Sequence, residues 1–247
     1  PFAGVDVQSI SLNEQTVPPT LDLALEITEG SRVNIHEIRI AGNHDTKADV
    51  IVRETRLKLP EVYNEETVMK IPRRLSRLNV FSSVKEPELY TAGGDSGGLL
   101  ITVVEGNPNT FDGVLGYAPG AAATDAGAFS GTINIAMGNL FGTARKLNLH
   151  WQREDARSQE IGIRYLEPWM FGYPLNSGGE FRQRQQDSAY VQRSLELKAD
   201  LLLTESFSLG GLFSREDVIP SSTRAVHNVS ASRILTTGIE IQYDTRN

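Results

Sequence analysis

Lys146-Leu147-Asn148-Leu149-His150-Trp151-Gln152 alternates polar and apolar residues without a break. A period of two belongs to a β-strand with one apolar and one wet face. The pattern recurs on both sides. Upstream, Ile133, Ile135 and Met137 alternate with Thr132, Asn134 and Ala136. Downstream, Leu195, Leu197, Ala199 and Leu201 alternate with Glu196, Lys198 and Asp200. Near the end, Ile239, Ile241 and Tyr243 alternate with Glu240, Gln242 and Asp244. From Phe111 onward helical periodicity is absent, and roughly eight strands of about ten residues are expected, the length that crosses a bilayer at barrel tilt.

Two architectures accept such strands, a soluble sandwich with one wet face and a transmembrane barrel. The connections favour the barrel. Every second turn is short and aromatic-rich: Asn139-Leu140-Phe141-Gly142-Thr143, then Glu167-Pro168-Trp169-Met170-Phe171-Gly172-Tyr173-Pro174. The intervening connections, such as Pro119–Gly127 and Asp217–Ala225, are polar, glycine-rich or longer. Aromatics gathered at one level match an interfacial belt, and alternating turn types match the two sides of a membrane.

Bulk numbers agree, although they do not discriminate alone. The 247 residues are 39% hydrophobic and 22% charged, and an alternating barrel averages to a soluble-looking composition. No apolar run reaches the ~18 residues a spanning helix needs. A net charge of −7 argues against nucleic acid. The absence of cysteine rules out disulfides and thiolate metal sites.

Residues 1–106 read differently. Leu21, Leu23, Leu25 and Ile27 alternate with polar residues, and so do Val33, Ile35, Ile38 and Ile40 with one slip, which predicts two strands. Lys47–Leu57 reads as a helix. A second helix follows Asn64, an N-cap residue with Glu65 and Glu66 in the first turn, and carries the stripe Val68, Ile71, Leu75 and Leu78. Pro72 inside that stripe predicts a kink or a restart. Two strands, roughly Val84–Tyr90 and Leu99–Glu105, then close the unit around the turn Gly93–Gly98. The expected core is Ile38, Ile40, Val68, Ile71, Leu75, Leu78, Phe81, Ile101 and Val103. An internal repeat frames this unit: Leu25–Gly30 resembles Ile101–Gly106, 76 positions later. Residues 1–30 are therefore expected to be the closing hairpin of a preceding copy.

The full length resembles the superfamily of outer-membrane insertases and translocases that join POTRA domains to a barrel, the BamA-like and TamA-like surface antigens. Ile38-Arg39-Ile40-Ala41-Gly42-Asn43 carries the resemblance at the start of the domain, with Leu75 to Phe81 and Val84 closing its second helix and Val104-Glu105-Gly106 at its end. In the barrel it is carried by Asn139-Leu140-Phe141-Gly142, Tyr165-Leu166-Glu167-Pro168-Trp169 and Asp244-Thr245-Arg246-Asn247, similar to a mid-barrel turn. The resemblance implies residues 31–106 as the last POTRA domain (β-α-α-β-β, α+β) and residues 107–247 as the N-terminal half of an antiparallel transmembrane β-barrel. That half comprises about the first eight of the family's sixteen strands, and its sheet should stay open rather than close first strand to last.

The implied function is insertion of β-barrel proteins into the outer membrane, or translocation of polypeptide across it, without catalysis. The POTRA domain would lie in the periplasm, and the partners would be outer-membrane lipid, unfolded client chains and accessory lipoproteins. The expected mechanism is β-augmentation, a client strand pairing with an open edge. Candidate edges are Ser83, Val84, Lys85, Glu86, Glu88, Leu89 and Tyr90 in the POTRA domain and a seam strand with Phe111, Gly113, Leu115 and Tyr117. A passive channel with a docking domain is the alternative reading.

Other motifs weigh little. Gly94-Asp95-Ser96-Gly97-Gly98 copies a serine-protease nucleophile loop, but none of the four histidines lies in that family's sequence context, so a tight hairpin turn is expected. No metal-ligand spacing and no phosphate loop are present, and no cofactor is expected. Arg153, Arg164, Glu180, Arg182 and Arg184 are expected on the lumen side of the strands.

Overall fold

A computed structural model describes residues 4–13, 18–28, 32–93, 96–118, 127–186, 189–220 and 229–244. The repeat's Glu29-Gly30, the turn residues Gly94-Asp95, most of the connections 119–127 and 217–225, and Thr245–Asn247 lie outside them. The chain forms two units: Pro1–Asn43 with Ala48–Val104, and His44–Lys47 with Glu105–Asn247.

The first unit opens with a hairpin of β1 (Gly4–Asn13) and β2 (Thr20–Thr28). A register shift between Val7 and Ser9 keeps Val5, Val7, Ile10 and Leu12 opposite Ile27, Leu25, Leu23 and Leu21. All eight are exposed.

There follow β3 (Asn34–Ala41), α1 (Ala48–Thr55), β4 (Glu61–Val62), α2 (Glu65–Met69) and α3 (Ile71–Ser76). The unit closes with β5 (Phe81–Val84), β6 (Glu88–Gly93) and β7 (Ser96–Glu105). The sheet order is β4-β3-β7-β5, with β6 also pairing with β7. β3 and β7 are parallel, and β6 and β7 antiparallel. The slip in the β3 pattern is a bulge at His36: the register shifts between Ile35 and Glu37, so that Ile35, Ile38 and Ile40 all turn toward the core.

The predicted second helix is two helices. Asn64 caps α2, its Oδ1 accepting from the Thr67 amide at 2.9 Å. Lys70 separates the two, and Pro72 stands in the first turn of α3, where its missing N–H costs no helical bond. The first helix is shorter than predicted, because Arg56 takes a left-handed conformation (φ 58°) and ends it. The buried guanidinium of Arg74 donates to the Thr55 carbonyl left open there.

The three helices and the sheet close on Ile35, Ile51, Val68, Ile71, Leu75, Leu99, Ile101 and Val103, all fully buried. Ile38, Ile40, Leu78 and Phe81, expected in the core, pack at its margin and are only partly buried. Ile35, Ile51 and Leu99 take the central places.

The second unit is one antiparallel sheet of eight strands in sequential order: β8 (Thr110–Ala118), β9 (Ala128–Leu140), β10 (Arg145–Arg153), β11 (Gln159–Glu167), β12 (Leu175–Gln186), β13 (Tyr190–Leu202), β14 (Phe207–Pro220) and β15 (Ser232–Tyr243). The sheet is open, and β8 and β15 are its two edges.

Register settles the faces. Leu149 lies opposite Ile135 and Ile163, Ile163 opposite Phe181, and Phe181 opposite Leu195. That row is apolar. One step along, Asn148 lies opposite Arg164, Arg164 opposite Glu180, and Glu180 opposite Glu196. The polar face is cross-linked by ion pairs, Arg164–Glu180 at 2.6 Å, Arg182–Glu180 at 2.7 Å and Lys198–Glu240 at 2.8 Å. Arg164, Glu180, Arg182 and Arg184 lie on this face as expected. Arg153 does not. It shares the parity of Leu149 and Trp151 and pairs with Gln159, so it stands on the apolar face at the strand's polar end.

Turn length does not alternate as predicted. The connection 154–158 is nearly as short as that of the first aromatic turn. Composition distinguishes the two ends, since hairpin register constrains the strands and leaves loop length free. Spin labels at Leu147, Leu149, Trp151, Leu195, Leu197, Ile239 and Ile241 are expected to report lipid. Labels at Asn148, His150, Glu196, Lys198, Glu240 and Gln242 should report water. Power-saturation measurements with oxygen and a nickel chelate distinguish the two, and a reversed pattern would contradict the barrel orientation.

Candidate functional site: two unpartnered strand edges

In the first unit, the edge predicted at Ser83–Tyr90 falls in two pieces. Ser83 and Val84 end β5, while Glu88, Leu89 and Tyr90 begin β6, and both strands lie along the same side of β7. Lys85, Glu86 and Pro87 form the break between them. The Lys85 amide is already used, donating to the Thr102 carbonyl at 3.0 Å. Among the described residues, the outer side of β6 pairs with no strand.

The glycines that imitate a protease loop serve this edge. Gly97 and Gly98 are strand residues, not turn residues. A Cβ on Gly97 would lie 2.6 Å from Val33 Cγ1, and one on Gly98 would overlap the Tyr90 ring. Gly98 thereby lets Tyr90 lie across β7, where its hydroxyl donates to Glu37 at 2.6 Å and Arg39 stacks 4.7 Å from the ring centre. The Tyr90 bond and the neighbouring Arg39 outweigh partial burial and hold the Glu37 carboxyl below its ordinary range.

The fold does bring Ser96 to a histidine. Ser96 Oγ lies 3.2 Å from His36 Nδ1. The same nitrogen lies 3.0 Å from the Asn34 carbonyl, which can only accept, so Nδ1 carries the proton and has no lone pair to receive one from serine. No group of three metal-binding side chains occurs among the described residues. Ser96→Ala is expected to shift stability by less than about 0.5 kcal/mol and to leave biological function unchanged. Thermal melts and complementation check it, and loss of function in a folded variant would reopen a catalytic role.

In the second unit, Phe111, Gly113, Leu115 and Tyr117 share one face of β8, opposite Ile135, Ile133, Gly131 and Phe129. The other side of β8 has no partner among the described residues. Phe111 is 74% exposed and Leu115 67%. One aromatic pair anchors the strand, Tyr117 with Phe129 at 5.1 Å between ring centres. Gly113 and Gly116 offer no side chain to the β9 interface. A glycine-interrupted edge is weakly held and loosely registered.

Below β8 the sheet end is built with care. Glu105 accepts from the backbone amides of His44 at 3.0 Å, Asp45 at 2.9 Å and Thr46 at 2.6 Å. Burial alone would raise its carboxyl, but the Asp45 and Thr46 amides, the Thr46 hydroxyl and the His44 amide outweigh it and hold the group at about 2. Asn139 Nδ2 donates to Thr46 Oγ1 at 2.9 Å, and the Lys47 amide donates to the Gly142 carbonyl at 2.9 Å. Gly142, at φ 71°, approaches the Asp45 carbonyl so closely that a Cβ would overlap it. The Asn-Leu-Phe-Gly segment is thus a docking turn for the loop 44–47. Sequence reading located that turn but not Glu105, whose partners lie about sixty positions away. At this same end Phe141, Phe171 and Tyr173 are exposed, as an interfacial belt requires.

Residues 33–106 match the POTRA family model, described as the surface antigen variable number repeat. A BamA outer membrane protein assembly factor of Neorickettsia risticii is 30% identical over 219 residues, covering 83% of this chain and 29% of that protein. Its counterpart in Neisseria meningitidis is 27% identical over 153 residues, covering 62% of this chain and 18% of the relative. The crystal structure of Haemophilus ducreyi BamA lacking POTRA domains 1–3 superposes with a TM-score of 0.62 at 18% identity, covering 97% of this chain and 48% of that one, and so shares the fold.

The chain belongs to the BamA-like POTRA-plus-barrel superfamily. It spans less than a third of the length of these curated relatives. It is an outer-membrane protein with its POTRA domain in the periplasm, and the BamA-like family is not enzymatic. The open sheet β8–β15 is a partial barrel of the BamA type.

Proposed function

We propose that this BamA-like chain takes part in assembling β-barrel proteins into the outer membrane, or in moving polypeptide across it, by lending strand edges to client chains. The observation that carries the reading is the glycine interruption of β8, where Gly113 and Gly116 offer no side chain to the pairing with β9. Within a bilayer, unpaired backbone has no water to satisfy it, so an edge that opens there favours pairing with an incoming strand. β6 would receive a client segment before it reaches the membrane, over Glu88, Leu89 and Tyr90, with Ser83 and Val84 as a second short register beyond the Lys85–Pro87 break. Unfolded barrel precursors and accessory lipoproteins are the partners this reading requires.

Photo-crosslinking side chains placed at Leu89 and at Leu115 in the full-length protein test it. Both are expected to capture a barrel precursor during assembly. Normal client assembly without adducts at either position would contradict the edge mechanism. Ion conduction unaffected by client would favour a passive pore instead.

The same reading assigns β1–β2 to residues 1–30 as the closing hairpin of a preceding POTRA domain, ahead of the last POTRA domain (31–106) and the half-barrel (107–247). Leu23, Leu25 and Ile27 stand 76 positions before Leu99, Ile101 and Val103, which the helices of the first unit bury. In the full-length protein, amides of residues 21–27 should exchange as slowly as those of 99–103. Fast exchange there would remove the hairpin from a packed domain.

A further inference from the structure

The apolar face of the sheet does not stay apolar to the ends of its strands. On β13, β14 and β15, Leu195 lies opposite Arg215 and Arg215 opposite Leu235, so a guanidinium sits between two leucines on the lipid-side face. Two positions further from the aromatic turns, Gln183 lies opposite Arg193, Arg193 opposite Asp217, and Asp217 opposite Arg233. Val191 and Ile219, opposite one another, continue the same face beyond the charged row.

The charges are organised around one acid. Asp217 accepts from Arg215 Nε at 2.7 Å and from Arg233 Nε at 2.6 Å, while Arg193 Nε donates to Gln183 at 2.9 Å. One carboxylate thus faces three guanidiniums on this patch. The excess is positive by two, and each guanidinium is a rigid fork of five N–H donors suited to phosphate oxygens.

Depth decides what the patch meets. An arginine on the lipid face is strongly disfavoured at the bilayer midplane and nearly neutral near an interface. Three together are tolerable only at headgroup level. From Leu202, at the aromatic-turn end of β13, nine positions lead to Arg193. At about 3.3 Å per residue and about 45° of tilt, they span roughly 21 Å of the membrane normal, close to the ~25 Å apolar band of a transmembrane barrel. The row therefore stands at the headgroup level of the leaflet opposite the aromatic turns, with leucines below it for acyl chains.

We propose that Arg193, Arg215 and Arg233 form a binding site for the phosphate of an anionic lipid headgroup in that leaflet. The site goes beyond client assembly and needs no strand exchange. The lipid's phosphate accepts from the forks, and Asp217 spaces them and keeps the patch from being saturated by loosely held anions.

The test uses full-length protein in phosphatidylcholine nanodiscs doped with diphosphoryl lipid A, with lipid retained after dilution counted by native mass spectrometry. R193Q/R215Q/R233Q is expected to retain at least tenfold less lipid A than the parent, and the triple lysine variant to retain most of it. Asp217→Asn, which removes the acid bonded to Arg215 and Arg233, is expected to retain severalfold more, a gain that misfolding cannot mimic. Equal retention by the parent and the glutamine variant would overturn the proposal. So would unchanged or weaker retention by Asp217→Asn, or release of lipid A by millimolar inorganic phosphate, which would mark a free-anion site.

Discussion

Leu75→Ala is expected to destabilise the POTRA domain by about 2–5 kcal/mol, the range for deleting a fully buried leucine and leaving a cavity. Leu75 has no exposed surface and packs with Ile35, Ile51, Val68, Ile71, Leu99, Ile101 and Val103. It sits on α3, a helix of only six residues that begins at a proline restart. So short a helix has little stability of its own and depends on this burial. The neighbours come from two sheet strands and the other helices, so no single element can move to fill the space. Native-state amide exchange across residues 33–104 reads the loss. A cost well under 1 kcal/mol would place Leu75 outside the core.

The second large effect is expected at Glu105. Glu105→Ala removes a carboxylate that accepts from three consecutive amides and leaves those donors to find water. Charge-assisted bonds of this kind contribute about 1.5–3 kcal/mol in favourable sites. Two of the three are solvent-exposed, which discounts the sum, so about 1–3 kcal/mol is expected locally. The readout is faster exchange at His44, Asp45 and Thr46. The effect also carries a pH signature. The folded carboxyl titrates at about 2, below its ordinary value. A depressed carboxyl contributes stability that is fully present above the unfolded pKa, about 4.3 for glutamate, and is lost as pH falls toward the folded value. The difference between parent and Glu105→Gln should therefore hold above about pH 5 and shrink toward pH 2. A difference independent of pH would mean that the ionised carboxylate is not what holds the loop.

Much of the fold was legible because two periods and a few breakers encode it locally. Alternation on β9, β10, β13 and β15 follows from the pleat, which sends successive side chains to opposite faces. Every residue named for the lipid face shares one side of the sheet, and every residue named for the lumen except Arg153 shares the other. The Asn64 cap and the Pro72 restart are properties of the chain within a few residues. Even the slip between Ile35 and Ile38 was visible, although only the β3–β7 pairing showed it to be a bulge at His36.

The rest depends on partners distant in sequence. Arg153 looked like a lumen residue until the register with Gln159 fixed its parity. Gly97 and Gly98 read as hairpin-turn residues, and their meaning lies in Val33 and the Tyr90 ring, which neighbouring strands bring onto them. Glu105 needs a loop sixty positions earlier to acquire its role. Arg215, Asp217 and Arg233 become a patch only when β14 and β15 pair in one register. Sequence alone thus determined the strands, helices, breaks and two-faced sheet, because dihedral preference and side-chain period act over a few residues. Tertiary structure decided which strands pair, which charges meet and which glycines are indispensable, because strand register is set by packing between segments that no local rule connects.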